Sequence, residues 1–259
     1  MKIIAVLSQK GGTGKTMTAA SIAYILGEEK GKKVLAVDAD QQGNMSMLYG
    51  RFEPEGAGLP DLLETHQSVG GTWKTTDAIQ ATQYGNIDII PCNGYLMRTN
   101  MNLLLIEKED QILRFSTAML EVQDAYDYCI IDCGLLMDMA VTNVLVAADL
   151  VIIPFKVGGF ELEAIENMQE QVEDLRGLNP EIRTKVLMTM RQKNQTSLRV
   201  EEWLHTSLRY NCFDTVVRRS IVAEKATMAL VPLPKFSRGC TVTQDYRQAV
   251  DELLKEMEG

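Results

Sequence analysis

Residues Ser8 to Thr16 read SQKGGTGKT, and the reading of this stretch decides the fold. A phosphate-binding loop is written as a glycine, four free positions, then Gly-Lys and Ser or Thr. Gly14, Lys15 and Thr16 supply the end of that pattern, but Gln9 stands where its first glycine belongs, and Lys10 adds a cation the pattern does not require. Gly11, Gly12 and Gly14 free the backbone to curl, so that successive N–H groups point at phosphate oxygens and the following helix adds its positive end. In such a loop Lys15 reaches the β and γ phosphates and the Thr16 hydroxyl ligates Mg²⁺. The cofactor-binding set is therefore Gly11, Gly12, Thr13, Gly14, Lys15, Thr16 and Met17.

Outward from the loop, short apolar runs alternate with helix-length segments. The runs are KIIAVLS (2–8), KVLAVDAD (33–40), IDIIPC (87–92), YCIID (128–132), LVIIPF (150–155) and KVLMTM (185–190). Such runs read as buried parallel strands joined by crossovers, hence an α/β fold with a mostly parallel twisted sheet and helices on both faces. Thr16 to Lys30 is expected to be the first helix, ended by Gly31, and DYRQAVDELLKEM the last. Residues 51–86, rich in Gly and Pro, read as a surface excursion with one short helix. The expectation is one domain over 1–259.

Composition bounds the function. The 46% hydrophobic and 24% charged content is that of an ordinary globular chain. Five cysteines without a C-x-x-C pair give no disulfide or zinc framework. No run approaches a membrane span, so a cytoplasmic protein that does not engage membranes is expected. The net charge of −9 argues against a generally basic nucleic-acid binder, yet Arg183 to Arg247 hold 12 Lys and Arg against 5 Asp and Glu. A local basic surface is compatible with the acidic total.

Two further motifs carry carboxylates. In VDADQQGN (37–44) a strand ends on Asp38 and Asp40, at the carboxyl edge of the sheet where phosphate sites form. In YDYCIID (126–132) an apolar strand ends on Asp132, the arrangement that holds Mg²⁺ through its water shell. Asp38 is placed as a second water-mediated metal ligand.

KGGTGKT resembles the deviant Walker A motif of the ParA/MinD superfamily of P-loop ATPases, whose signature lysine is matched by Lys10. VDADQQGN is similar to that family's D-x-D-P-Q-G-N segment, with Gln41 in place of proline. Asn143, Leu145, Ala147, Ala148 and Asp149 match its N-x-L-x-A-A-D; Phe160, Leu162 and Glu163 match a later segment, and Arg219 falls on the family's arginine. Where the family has two prolines and a serine after Asp132 and Cys133, this chain has Gly134, Leu135 and Leu136. Among the branches of the family it resembles the shorter, Soj-like one, which has no N-terminal helix-turn-helix.

The resemblance implies an ATP-dependent DNA partition ATPase. Two ATP-bound subunits form a homodimer in which Lys10 crosses to the partner's nucleotide, as an arginine finger does. Asp40 orients the attacking water, so that Lys10, Lys15 and Asp40 form the catalytic set, with ATP and Mg²⁺ as cofactors. The dimer binds DNA nonspecifically on the nucleoid, and a ParB-like centromere-binding protein stimulates hydrolysis. Arg191, Lys193, Arg218, Arg219, Lys235 and Arg238 are the DNA-contacting expectations. The alternatives are a MinD-like positioning ATPase, disfavoured by the acidic DELLKEMEG terminus, and a weakly hydrolysing scaffold with an altered switch loop. Relatives that bridge subunits through a metal cluster are disfavoured because Cys129 lies within a strand. Trp203 reads as core, and contacts to the adenine are expected from the loops after KVLMTM and around VPLPKFSR.

Overall fold

The structure is a computed structural model and describes residues 1–65, 74–105, 111–158, 161–207 and 210–258. Phe160 and His66 lie outside the described residues. Seven strands form one sheet: β1 (Lys2–Val6), β2 (Val34–Ala39), β3 (Gln80–Ala81), β4 (Ile87–Ile90), β5 (Tyr128–Cys133), β6 (Leu150–Phe155) and β7 (Arg183–Met188). Their order is β3-β4-β2-β5-β1-β6-β7. Every pairing is parallel except β3 with β4.

Every residue of β2, β5 and β6 is buried, which is why these strands read as continuous apolar runs without polar alternation. Successive side chains still leave to opposite faces. Ala5, Leu35, Val37, Ile131 and Val151 feed one core. That core is covered by α3 (Leu59–Thr65), α4 (Leu96–Leu105), α5 (Arg114–Val122), α6 (Met139–Ala147) and α7 (Glu161–Asp174), with Leu204 from α8 (Gln195–Thr206). Ile4, Val6, Val34, Ala36, Ile130 and Ile152 feed the other. There they meet α1 (Lys15–Tyr24), α2 (Asn44–Leu48), α9 (Ile221–Met228), α10 (Leu233–Phe236) and α11 (Thr241–Glu258).

The first helix departs from the sequence expectation in one detail: after Tyr24 it widens into a π turn over Ile25–Glu29 before Gly31 ends it with a φ of +69°. A Cβ on Gly27 in this turn would come 2.5 Å from Ile87 Cγ1, so only glycine lets the helix lie this close to β4.

Two sequence expectations are corrected. Residues 51–86 are not merely a surface excursion. Leu59, Leu62, Leu63 and Ala78 are fully buried in the first core, and Gln80–Ala81 adds the antiparallel edge strand. Trp203 is 41% exposed, and the burial on its helix falls to Leu204. Trp203 instead leans on Tyr210, ring centroids 5.6 Å apart.

Candidate functional site

β1 is central, flanked by β5 and β6, so the chain leaving it emerges where connections depart to opposite sides of the sheet, the usual place for a ligand crevice. The loop 7–14 occupies that edge and α1 begins directly from it. Gly12 and Gly14 have φ of +71° and +87°, a left-handed backbone that strains any side-chain-bearing residue. These conformations turn the loop back on itself and start the helix with its N-terminal N–H groups directed out of the sheet edge.

A cavity of about 750 Å³ opens over the loop. Gly11, Gly12, Gly14, Lys15, Thr16, Met17 and Asp40 contribute to its wall. Thr13 is buried and acts as a stitch: its carbonyl lies 2.7 Å from the Thr189 hydroxyl, which ties the loop to the end of β7. Lys10 is half-buried within the loop. Its carbonyl oxygen accepts from the Thr13 hydroxyl at 3.4 Å.

Lys15 is buried, and desolvation lowers its pKa below the usual lysine value while Asp132, Asp40 and Cys133 pull it back up. Beneath it lies Asp132, in register with Asp38 on one side and Val6 on the other. Burial drives the Asp132 carboxyl well above the ordinary range; the Asp38 and Asp40 charges add to this, and the Thr16 hydroxyl and Lys15 oppose it. Among the described residues neither buried Asp132 carboxylate oxygen has a partner at full hydrogen-bond geometry, although the Thr16 hydroxyl is near enough to stabilise its charge. Such an orphaned acceptor pair is costly to hold alone, and it fits a hydrated hard cation placed between Asp132 and the Thr16 hydroxyl. Among the described residues no group of three or more His, Cys, Asp or Glu could hold a metal by itself. Waters and phosphate oxygens would therefore complete the coordination, as Mg²⁺ prefers.

The two carboxylates of the VDAD strand end have different surroundings. Asp38 is fully buried and accepts from the Ser46 amide and hydroxyl, both at 2.7 Å, and from the Asp40 amide at 3.2 Å. Burial pushes its pKa up to about 6, against the lowering effect of these bonds. These bonds make Asp38 an anchor of α2 to β2. Asp40 lines the cavity, and its Oδ1 accepts from the Gln42 amide at 3.0 Å. Gly43, with φ +63°, turns the chain into α2.

After β5, Gly134 runs against the Asp40 backbone; a Cβ there would stand 3.6 Å from the Ala39 carbonyl oxygen. Leu135 reaches the cavity wall, and Leu136 is exposed. Asp138 then caps α6, accepting from Val141 N–H at 3.0 Å and from Asn100 Nδ2 at 2.8 Å. Asn100 Oδ1 accepts from Ala140 N–H at 2.7 Å. The loop between Asp132 and α6 is thus latched to α4. Asn143, a motif match in the sequence, is buried, with its amide bonded to the Met139 and Gln111 carbonyls. Asp149 accepts from Ile3 N–H at 2.7 Å and pins the start of β6 to β1.

The far wall is built by Thr189, Met190 and Gln192 after β7 and by Val217 to Ser220 leading into α9. The loop after KVLMTM accordingly faces the cavity. The VPLPKFSR stretch does not contribute to the wall; Leu230, just before it, does.

The six cations expected on a DNA surface divide. Arg191 pairs with Glu201 at 2.9 Å. Arg218 forms a two-pronged pair with Asp245, its Nε 2.9 Å from one carboxylate oxygen and its NH2 on the other. Both arginines are thus ion-paired within the chain. Lys193, Arg219, Lys235 and Arg238 are exposed, and Arg219 also reaches the cavity wall. Cys129 is fully buried in β5.

Sequence reading missed Lys156, Thr189, Ser46 and Asn100. An aspartate before a helical run such as Asp138 is a legible N-cap signal, but its partner Asn100 carries none. A parallel sheet with the glycine loop after its central strand, a buried lysine over an acidic strand end and a cavity above them define a P-loop nucleoside triphosphatase.

The comparisons with known proteins narrow this. A family model described as AAA domain matches residues 1–184. The sporulation initiation inhibitor protein Soj of Bacillus subtilis is 32% identical, covering 96% of this chain and 98% of its own. The chromosome partitioning protein ParA of Caulobacter vibrioides is 28% identical, covering 98% and 94%. The chain belongs to the ParA/Soj family of partition ATPases. Among solved structures, apo McdA of Cyanothece superposes with a TM-score of 0.83 at 21% identity, covering 98% of this chain and 99% of its own. Cobyrinic acid a,c-diamide synthase of Mycobacterium smegmatis with bound ADP and magnesium gives 0.82 at 23%, covering 100% and 96%. At these identities the two structures establish the fold alone.

Proposed function

We propose that this chain is a Mg²⁺-dependent ATPase that closes into a homodimer on ATP, binds DNA nonspecifically in that state, and releases it on hydrolysis stimulated by a ParB-like partner. The observation that carries the reading is one arrangement. A left-handed glycine loop bears Lys10 within it and Lys15 at its helix end, close to Asp132, whose two buried oxygens meet, among the described residues, only the Thr16 hydroxyl and the Lys15 charge. Lys15 is assigned to the β and γ phosphates and Asp40 to the attacking water; Lys10 is delivered to the partner's nucleotide. Thr16 and, through its water shell, Asp132 would hold Mg²⁺, which would supply neutralisation of charge on the phosphates. The protein's own contribution is to position these groups without reorganisation: Thr189 holds the loop, Ser46 holds Asp38, and Asp138 holds the switch segment. We take residues 1–259 as one unit acting in the cytoplasm on the nucleoid.

One observation favours DNA over a membrane as the surface read. The apolar face of α11 is spent on the core, with Val242, Tyr246, Val250 and Leu253 buried, so it has no free stripe to insert into lipid.

The test is ATP turnover and mass under ATP for the wild type and Lys10→Ala. The expected result is a wild-type dimer with ATP, and a Lys10→Ala chain that binds ATP, stays monomeric and loses turnover by about three orders of magnitude, the scale of a trans-acting cation. Undiminished turnover in Lys10→Ala would remove the two-subunit site. A wild type that dimerises on ATP without hydrolysing it would favour the scaffold reading.

A further inference from the structure

Lys156 follows the last residue of β6, and β6 lies beside β1, so this lysine leaves the sheet at the same edge as the phosphate loop. Its main chain is tied to that loop through Thr189. The Thr189 amide donates to the Phe155 carbonyl at 2.5 Å, and the Thr189 hydroxyl lies 3.1 Å from that oxygen and 2.7 Å from the Thr13 carbonyl. The Lys156 ammonium stands 3.8 Å from the position a Cβ on Gly12 would take. Its side chain lines the same cavity as Gly12, Lys15, Thr16 and Asp40.

The other half-buried cations of this region have partners: Arg191 has Glu201, and Arg218 has Asp245. Lys156 is half-buried, and among the described residues its ammonium meets neither a carboxylate nor a hydrogen-bond acceptor. An ammonium is a compact, strongly hydrated charge, and partial burial without a counter-ion is unfavourable unless an anion arrives. The geometry says which anion. Gly12 lies three residues before Lys15, the lysine assigned above to the β and γ phosphates. A cation over Gly12 therefore faces that end of the phosphate chain.

We infer that Lys156 is a third phosphate-binding cation, acting within its own subunit on the terminal phosphate of a nucleoside triphosphate. It is distinct from Lys15, which rises from the loop's helix end, and from Lys10, assigned above to the partner's nucleotide. The site so built distinguishes triphosphate from diphosphate before any dimer forms. This inference rests on the nucleotide reading above.

The experiment is calorimetric titration of Mg²⁺ with a non-hydrolysable ATP analogue, and of Mg²⁺-ADP, into the wild type, Lys156→Gln and Lys156→Met. Each substitution is repeated on a Lys10→Ala background. Loss of one charge-assisted contact is expected to weaken the triphosphate about tenfold. ADP affinity stays at the wild-type value, which also reports that the variants are folded. The same tenfold loss persists in the Lys10→Ala chain, because Lys156 serves its own site. Equal weakening of ADP and the analogue, no weakening of either, or a loss that vanishes with Lys10→Ala would each overturn the inference. A wild type that binds neither nucleotide overturns the nucleotide reading itself, an outcome separable from a wild type that binds both while the variants match it.

Discussion

Asp38 and Asp132 are neighbours in register on β2 and β5, yet they meet opposite fates because of what faces them. Ser46 donates both its amide and its hydroxyl to Asp38, so that carboxylate is satisfied by protein. Among the described residues Asp132 meets only the Thr16 hydroxyl and the Lys15 charge, which leaves it the carboxylate proposed above to face the cation. Ser46→Ala removes one donor from a fully buried acceptor and is expected to cost about 1–3 kcal/mol in urea unfolding at neutral pH. Asp38 also predicts a pH dependence. Its folded pKa of about 6 lies above the roughly 3.9 of an unfolded aspartate, so the native state holds the proton longer. Its contribution to stability is full below about pH 4 and is lost as pH rises through about 6. Unfolding measured on metal-free protein should therefore fall less steeply over this interval in Asp38→Asn than in the wild type; parallel profiles would show that Asp38 does not titrate there.

The elements are coupled by a few polar contacts at the carboxyl edge of the sheet. Asn100 of α4 bonds both the cap residue Asp138 and the Ala140 amide of α6. The Gly134-Leu135-Leu136 loop hangs between that latch and Asp132. Asn100→Ala leaves one acceptor and one amide unpartnered at a buried corner and should lower thermal stability. It should also reduce kcat with ATP affinity unchanged, because the residue touches the switch segment and not the phosphate loop. Equal effects on binding and turnover would mean the latch only holds the fold. Such coupling was not legible beforehand. VDADQQGN, KGGTGKT and the strand ending on Asp132 could be read because each packs its meaning into consecutive residues. Asn100, Thr189 and Lys156 act across 38, 176 and 144 residues of chain respectively, on Asp138, Thr13 and Gly12, and nothing local marks them. Arg191 and Arg218 looked like surface cations for the same reason: their partners, Glu201 and Asp245, are brought in by α8 and α11.

At the scale of the molecule, charge is segregated although the total is −9, with the excess of Lys and Arg confined to residues 183–247. Lys193, Lys235 and Arg238 remain exposed there after the ion-paired arginines, Arg219 with Glu224 among them, are set aside. Reversing Lys193, Lys235 and Arg238 to glutamate should weaken ATP-dependent DNA retention. It should also flatten its dependence on salt by about 0.9 in the log–log slope for each phosphate contact removed. ATP turnover without DNA should be unaffected, since none of the three lines the cavity. Binding that is unchanged by all three reversals would move the DNA surface elsewhere.

The sequence by itself determined the parallel sheet, the phosphate loop and the identity of the groups at its centre. Continuous β-branched runs must be buried on both faces, and a glycine loop between such a run and a helix has few other uses. Only the tertiary structure decided which carboxylate is held by protein donors, which arginines are ion-paired within the chain, and that a third lysine stands over Gly12. Those outcomes depend on donors and counter-ions supplied by distant segments of chain, and a charge is defined by its neighbours in space rather than by its neighbours in sequence.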